Sequence, residues 1–191
     1  MSRPKPLAKK VARMLRVMDR AVTEWTLPVI GVEKGRVLRR LIADHAPTRA
    51  LEVGSLFGYS ALLIAASLPR GESSRAWSRM PTSRSSSAGT PPRRGWATGC
   101  ASWWVMPSAC SPMLRGPVDF MLIDAKKEDY LDYLRAVEPR LIRGAVVVAD
   151  NTGMYRRDVK PYLAHVRGDG RYQSREHDFG FDCMEVSVVR G

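Results

Sequence analysis

Apolar positions early in the chain recur at the spacing of an amphipathic helix. Between residues 7 and 24, Leu, Val and Met recur every three or four positions, and Lys and Arg occupy the opposite face. This pattern predicts a helix that packs one face on a domain. A helix bound to a membrane surface or to nucleic acid is the alternative. Residues 33–45, "EKGRVLRRLIADH", predict a second helix, which Pro47 ends.

Further along, short apolar runs typical of buried strands alternate with helical patterns. Four strands are predicted, at 49–54, 118–124, 145–150 and, as a final antiparallel strand, 182–190. Three helices are predicted, at 58–68, 127–142 and 158–168. We expect Gly144 to end the second of these and Pro161 to lie in the first turn of the third. The alternation predicts an α/β fold, a mostly parallel sheet with helices on both faces.

Length and composition fit a single globular domain. The 191 residues are 45% hydrophobic and 26% charged, and no apolar run approaches the length of a membrane span. The basic start lacks the apolar core of a signal peptide, and three Cys without framework spacing indicate a reducing compartment. We therefore expect a cytoplasmic protein without a membrane partner. Within it, we expect N-terminal helices over 1–46 and an α/β core over 47–72 and 117–191.

Residues that suit ligand binding follow three of the predicted strands. Gly54 ends the first strand, Asp124 the second, and Asp150 the third, with Asn151 next. Ligands bind outside the carboxyl ends of parallel strands, so we expect these residues to share one crevice. Either aspartate alone could merely cap a loop, but two carboxylates with an amide oxygen favour a Mg²⁺ or Ca²⁺ site. Lys127 is a candidate base beside such an ion, or else a solvated lysine.

The first strand–loop–helix unit suits the approach of a ligand. In "LEVGSLFGYS" (51–60), Gly54 lets the backbone come close to a ligand, and Ser60 near the helix start can donate a hydrogen bond. A tight turn accounts for the same two glycines, so this segment alone is weak evidence.

Several motifs together resemble one known family, the metal-dependent class I S-adenosylmethionine O-methyltransferases, which include catechol and caffeoyl-CoA O-methyltransferases. "LEVGSLFGYSAL" resembles its first cofactor motif, "IDAKKEDYLDYL" its Asp-Ala-Asp-Lys-x-x-Tyr segment, and "VVADN" its Asp-Asn metal motif. "IGVEKGRVLRRLI" (30–42) resembles its Gly-x-x-x-Gly helix entry. Lys126 stands where the family usually has a second Asp. The resemblance covers roughly residues 25–72 and 117–155.

The resemblance implies a Rossmann-like fold and methyl transfer from S-adenosylmethionine to a small, hydroxylated, catechol-like acceptor, assisted by Mg²⁺ or another divalent cation. It implies that Asp124 contacts both cofactor and metal, that Asp150 and Asn151 complete the metal site, and that Lys127 deprotonates the acceptor. The cofactor contacts that we expect are those of Ile30, Glu52, Gly54, Ser55, Tyr59, Ser60 and Asp124. The N-terminal helix is a candidate element for a homodimer.

Residues 73–116 break the pattern. They contain ten Ser, five Pro and six Arg, but no acidic residue and only one Val and one Leu. Half of the net charge of +12 therefore lies in this segment. Because so little apolar surface can be buried, we expect irregular or disordered structure over 74–113. The acid and the Gly-Asp-Ala loop with which the family holds ribose and adenine are missing from it.

A shift of reading frame accounts for this composition. Read one base earlier, the codons of "SWWVMP" (102–107) allow Val-Gly-Asp-Ala, and those of "WSRMPT" (77–82) allow Val-Val-Ala-Asp-Ala-Asp. We therefore hypothesise that residues 73 to about 115 are translated out of the ancestral frame. One alternative is an insertion that binds nucleic acid through Arg and Trp. It is not favoured, because the spacing from Gly54 to Asp124 fits an uninterrupted domain. The second alternative is that the protein is an inactive relative that has lost the contacts with ribose and adenine.

Overall fold

The computed structural model describes residues 3–25, 29–55, 58–69, 100–103 and 116–190. The elements of the first half are α1 (Lys9–Trp25), α2 (Gly31–His45), β1 (Ala50–Val53), α3 (Tyr59–Ser67) and β2 (Cys100–Trp103). Those of the second half are β3 (Val118–Ile123), α4 (Tyr130–Val137), β4 (Leu141–Ala149), α5 (Lys160–Gly168), β5 (Tyr172–Asp178) and β6 (Cys183–Val189). Short 3₁₀ turns at Lys127–Asp129 and Glu138–Arg140 flank α4.

The strands of the described chain form one sheet in the order β2-β1-β3-β4-β6-β5. β2, β1, β3 and β4 run parallel, and β6 and β5 pair in the antiparallel sense. This arrangement confirms the predicted mostly parallel sheet and its antiparallel last strand. Because β1, β3 and β4 are parallel neighbours, the residues that follow them meet at one edge of the sheet.

Side chains along the central strands alternate between two faces, and helices cover both. In β3, Met121 and Ile123 pack on one face, whereas Phe120 and Leu122 pack on the other. Helices α4 and α5 cover the first face, and α1, α2 and α3 cover the second. Burial on both sides explains why β3 and most of β4 are nearly continuous apolar runs in the sequence.

Helix α1 packs on the domain as predicted. Leu15 is buried, and Leu7, Val11 and Met18 contact the same core cluster. Among the described residues, no helix is both long enough and apolar enough to cross a membrane. A homodimer through α1 and a cytoplasmic setting stay predictions.

The boundaries expected around α4 are wrong. The helix predicted over 127–142 has its α-helical part only to Val137, because the ring of Pro139 cannot continue the α-helical hydrogen-bond ladder. Leu141 already belongs to β4, so Gly144 lies inside a strand and does not end a helix. By contrast, Pro161 occupies the first turn of α5, as expected.

Two strands were not predicted. β5 has the sequence "YQSREHD", which offers almost no apolar pattern; it forms by pairing with β6 at seven positions. β2 lies within the segment expected to be irregular over 74–113, and that expectation is wrong for Cys100–Trp103. The open edge of β1 accepts a parallel partner through its backbone groups, whatever the side chains. The rest of 74–113 lies outside the described residues, and the frame-shift hypothesis stays a prediction.

Glu138 ties the end of α4 to α5 and β5. Its Oε1 lies 2.6 Å from Nε2 of His165 and accepts a hydrogen bond of 2.6 Å from the hydroxyl of Tyr172. Burial alone would raise the pKa of Glu138, but these two hydrogen bonds outweigh it, and the pKa is lowered. The ionised carboxylate therefore stabilises the fold.

We expect Glu138→Gln to destabilise the protein at neutral pH by about 2 kcal/mol, the typical value of a hydrogen bond to a charged group. Because the folded-state pKa is lowered from 4.5, the contribution is complete above that pH and is lost as the pH falls through the lowered value. Urea unfolding between pH 3 and 7 measures this. The variant should converge on the wild type in acid, whereas exposed Glu128→Gln should not differ from it. A constant gap at every pH would contradict the prediction.

Candidate functional site

The backbones that follow β1, β3 and β4 are joined to one another. The amide of Asp124 donates to the carbonyl of Val53 at 2.9 Å, and the amide of Asp150 donates to the carbonyl of Ile123 at 3.0 Å. Gly54 has a φ of +86°, and a Cβ at this position would lie 2.1 Å from the carbonyl oxygen of Asp124. These contacts set the two aspartates side by side at the carboxyl edge of the sheet.

Lys127 joins the predicted site residues into one cluster. The 3₁₀ turn after β3 directs its side chain back toward the strand end, where Nζ donates to Oδ1 of Asp124 at 2.9 Å. The same Nζ donates to Oδ1 of Asn151 and to the hydroxyl of Tyr130, both at 2.8 Å. The structure therefore brings Asp124, Lys127 and Asn151 together, as the sequence predicted.

Asp150 is held from the opposite side by a buried lysine of α2. Lys34 Nζ lies 2.5 Å from Oδ1 of Asp150 and 2.7 Å from Oδ2 of Asp182, and all three side chains are almost completely buried. The hydroxyl of Tyr130 donates to the backbone carbonyl of Asp150 at 3.0 Å. Asp150 thus lies between the Lys127 cluster and this buried ion pair.

The cluster carries concentrated negative charge. Burial, reinforced by the neighbouring charge of Asp124, raises the pKa of Asp150 to about 6, although Lys34 opposes the shift. Burial would lower the pKa of Lys34, but its two carboxylate partners raise it overall. Burial and the charge of Asp124 also raise the pKa of Tyr130 well above its ordinary value, which keeps its hydroxyl protonated. The site therefore favours an additional positive charge.

Its donors suit a divalent cation. Oδ1 of Asp124 and Oδ1 of Asn151 already converge on one cationic group, the ammonium of Lys127. Carboxylate and amide oxygens are the ligands that Mg²⁺ and Ca²⁺ prefer. Asp150 adds a second carboxylate, whose pKa is raised first by burial and then by the charge of Asp124. On chemistry and placement, Asp124, Asp150 and Asn151 fit a cation.

The residues expected to bind the cofactor fall into two groups. Glu52 is fully buried in β1 and accepts a hydrogen bond from the hydroxyl of Ser60, and Gly54 and Ser55 follow at the strand end. Ile30, which precedes α2, and Tyr59, the first residue of α3, instead pack in the core beneath this face of the sheet. The Tyr59 hydroxyl bonds to Asp19 of α1, which contributes to its raised pKa after burial itself.

Sequence reasoning missed the roles of Lys34 and Asp182 in this network. Lys34 stands four residues before Leu38 and eight before Ile42, both fully buried, so a lysine on that apolar face was the available signal. Asp182 immediately precedes β6 and carries no comparable signal, since acids before a strand are common. The hydroxyl contacts of Tyr130 with Lys127 and with the carbonyl of Asp150 likewise have no signal in the sequence.

The strand order, and the position of the site at the carboxyl ends of the parallel strands, are those of a Rossmann-like methyltransferase fold. The chain aligns with an O-methyltransferase from Bacillus cereus in complex with SAH, with a TM-score of 0.66 and 16% identity, over 96% of this chain and 92% of that one. It aligns equally with a Streptomyces achromogenes O-methyltransferase of tomaymycin synthesis in complex with SAM, with a TM-score of 0.67 and 19% identity, over 98% and 92%. These structures establish the fold.

The sequence is also similar to that of known O-methyltransferases. The chain is 30% identical to a transmembrane O-methyltransferase homolog of Mus musculus over 161 residues, which are 78% of this chain and 60% of the relative. It is 28% identical to the catechol O-methyltransferase of Mus musculus over 171 residues, or 85% and 63% of the two chains. No protein-family model matches. The chain therefore has the fold of the class I O-methyltransferases and is similar to them in sequence, and it spans less than two thirds of these two relatives.

Proposed function

We propose that the chain transfers the methyl group of S-adenosylmethionine to a hydroxyl of a small catechol-like acceptor, with the help of Mg²⁺ or another divalent cation. One observation carries this proposal: the oxygens of Asp124 and Asn151 converge on the amine of Lys127 at the carboxyl edge of the sheet. This cluster combines hard oxygen ligands with a group that can accept a proton.

The cofactor would lie over the end of β1. Gly54 directly follows this strand with a φ of +86°, and its missing side chain lets the backbones after β1 and β3 lie in contact beneath that position. The buried Glu52–Ser60 pair and Ser55 supply polar groups beside that loop. We propose direct contacts for these four residues and for Asp124. For Ile30 and Tyr59, core packing supports a role in shaping the floor of the cofactor site.

The cation would be held by Asp124, Asp150 and Asn151. When bound, it would supply positive charge that favours the ionised form of the acceptor hydroxyl. Lys127 Nζ lies within 3 Å of two of these three side chains. Once the ammonium has released a proton to solvent, the neutral amine is placed to take the proton from that hydroxyl. Tyr130, whose hydroxyl bonds to Lys127, fixes the amine in this position. The protein then contributes mainly alignment and charge stabilisation.

An aromatic rim supports a flat acceptor. Tyr155 is 40% exposed, and the centroid of its ring lies 5.7 Å from Nζ of Lys127. Phe181 is 63% exposed, with its ring centroid 5.8 Å from Nζ of Lys34. Exposed aromatic rings on two sides of a polar cluster suit a small aromatic molecule that carries hydroxyl groups.

Titration calorimetry with S-adenosylmethionine, with and without Mg²⁺, tests the proposal, followed by mass-spectrometric detection of methylated catechol. We expect S-adenosylmethionine to bind. We expect the methylated product to form only when the divalent cation is present. Affinity should be weaker than in family members that keep the ribose and adenine contacts, because residues 73–116 lack those motifs. Failure to bind under both conditions would identify an inactive relative.

A further inference from the structure

We infer that Asp182 is a positioning residue for the cation site, which fixes the side-chain amide of Asn151 with its oxygen toward Asp124 and Lys127. The inference rests on the proposed divalent-cation function. Asp182 belongs to none of the sequence motifs; it lies in the loop between β5 and β6, 31 residues beyond Asn151. It reaches the site only through the fold.

The contacts of Asn151 are divided between two partners. Its Nδ2 donates to Oδ2 of Asp182 at 2.7 Å, and its Oδ1 accepts from Nζ of Lys127 at 2.8 Å. Rotating the amide by 180° would place an NH₂ group against the ammonium of Lys127 and an oxygen against the carboxylate of Asp182. Both new contacts would be repulsive, since a carboxylate only accepts and an ammonium only donates. The orientation with the oxygen toward Asp124 is therefore strongly preferred.

Asp182 can impose this preference because its own position is fixed. Its side chain is fully buried, and its Oδ1 accepts from the backbone amide of Met154 at 2.8 Å. Its Oδ2 also accepts from Lys34 at 2.7 Å, which compensates its charge. The neighbouring amide of Thr152 donates to the carbonyl of Cys183 at 3.0 Å, so the loop directly after Asn151 is held to the start of β6.

Asp182→Asn tests the inference with almost no change of shape. An amide at this position has one acceptor, whereas the carboxylate serves three donors on two oxygens. If its NH₂ group replaces Oδ2, it meets the donors of Lys34 and Asn151, and turning Asn151 relieves the second conflict at the expense of the ligand oxygen. If its NH₂ group replaces Oδ1, it meets the backbone amide of Met154, and the loop that holds Asn151 loses that hydrogen bond. We expect Mn²⁺ affinity, measured by electron paramagnetic resonance of the free ion, to fall about tenfold or more, as for other partners of metal ligands.

A double-mutant cycle separates positioning from a general structural effect. If Asp182 acts through Asn151, then adding Asp182→Asn to Asn151→Ala should weaken Mn²⁺ binding by less than about twofold. If the double variant instead lost Mn²⁺ affinity by the product of the two single losses, the inference would be overturned. Asp182 would then act on the site by another route, such as Lys34 and Asp150.

Asp119→Asn is the matched control. Its carboxylate also accepts three hydrogen bonds, from Thr48 and Arg49, but it lies near the opposite edge of the sheet. It should lower thermal stability without changing the Mn²⁺ affinity; an equal fall in affinity would overturn the inference. If the wild-type chain binds no Mn²⁺ while it still binds S-adenosylmethionine, the metal-assisted function fails first and the inference with it. Mn²⁺ binding that Asp182→Asn leaves intact would remove the inference alone.

Discussion

Replacing Lys127 with methionine should lower kcat for methyl transfer by about 100-fold or more, the usual contribution of a positioned general base. Nζ of Lys127 makes hydrogen bonds to Asp124, Asn151 and the hydroxyl of Tyr130, and its side chain is only 14% exposed. Methionine keeps most of the length of the side chain but cannot accept or donate that proton. Binding of S-adenosylmethionine, measured by calorimetry, should change little, because the cofactor would lie over the end of β1.

Lys126→Met is the control for this substitution. Lys126 is the adjacent residue and carries the same charge, but its side chain is 64% exposed and its ion pair with Asp129 is 3.5 Å long. An exposed pair of this kind contributes little, so this variant should keep wild-type kcat. Equal losses in the two variants would point to net charge near the site. Full turnover by Lys127→Met would exclude Lys127 as the base.

Local sequence patterns predict those residues of the site that directly follow the strands. Asp124, Asp150 and Asn151 each follow a buried apolar run, and parallel strands bring their carboxyl ends to one edge, so periodicity alone placed them together. Lys127 could be added because it lies within one turn of Asp124. The same reasoning placed Gly54 next to Asp124, where the two backbones are in contact.

What the sequence could not predict depends on tertiary contacts. Lys34 and Asp182 are 148 residues apart, and only the packing of α2 against the carboxyl edge brings them to Asp150. β5 is an edge strand with an almost entirely polar sequence, so its pairing with β6 leaves no periodic signal. β2 shows the same limit more strongly, because backbone pairing with β1 produced a strand where composition predicted none.

Gly54→Ala should destabilise the protein by about 3 kcal/mol and sharply weaken binding of S-adenosylmethionine. Two costs combine: a side chain at a φ of +86°, and a Cβ only 2.1 Å from the carbonyl oxygen of Asp124. The other nearest atoms are the carbonyl carbon of Asp124, at 2.7 Å, and Cα of Ala125, at 2.9 Å. All three belong to the backbone, so no rotamer change relieves the clash, and β1 and β3 must separate at the site.

Gly58→Ala separates the two costs, because Gly58 has a similar φ of +75° but no atom within 4 Å of the added Cβ. Its variant should therefore lose only about 1 kcal/mol, the cost of the left-handed backbone conformation. Urea unfolding gives both free energies, and calorimetry gives both cofactor affinities. A Gly54→Ala variant no less stable than Gly58→Ala would mean that the ends of β1 and β3 can move apart freely. The contact of these strand ends would then not be what sets Asp124 beside the loop that follows β1.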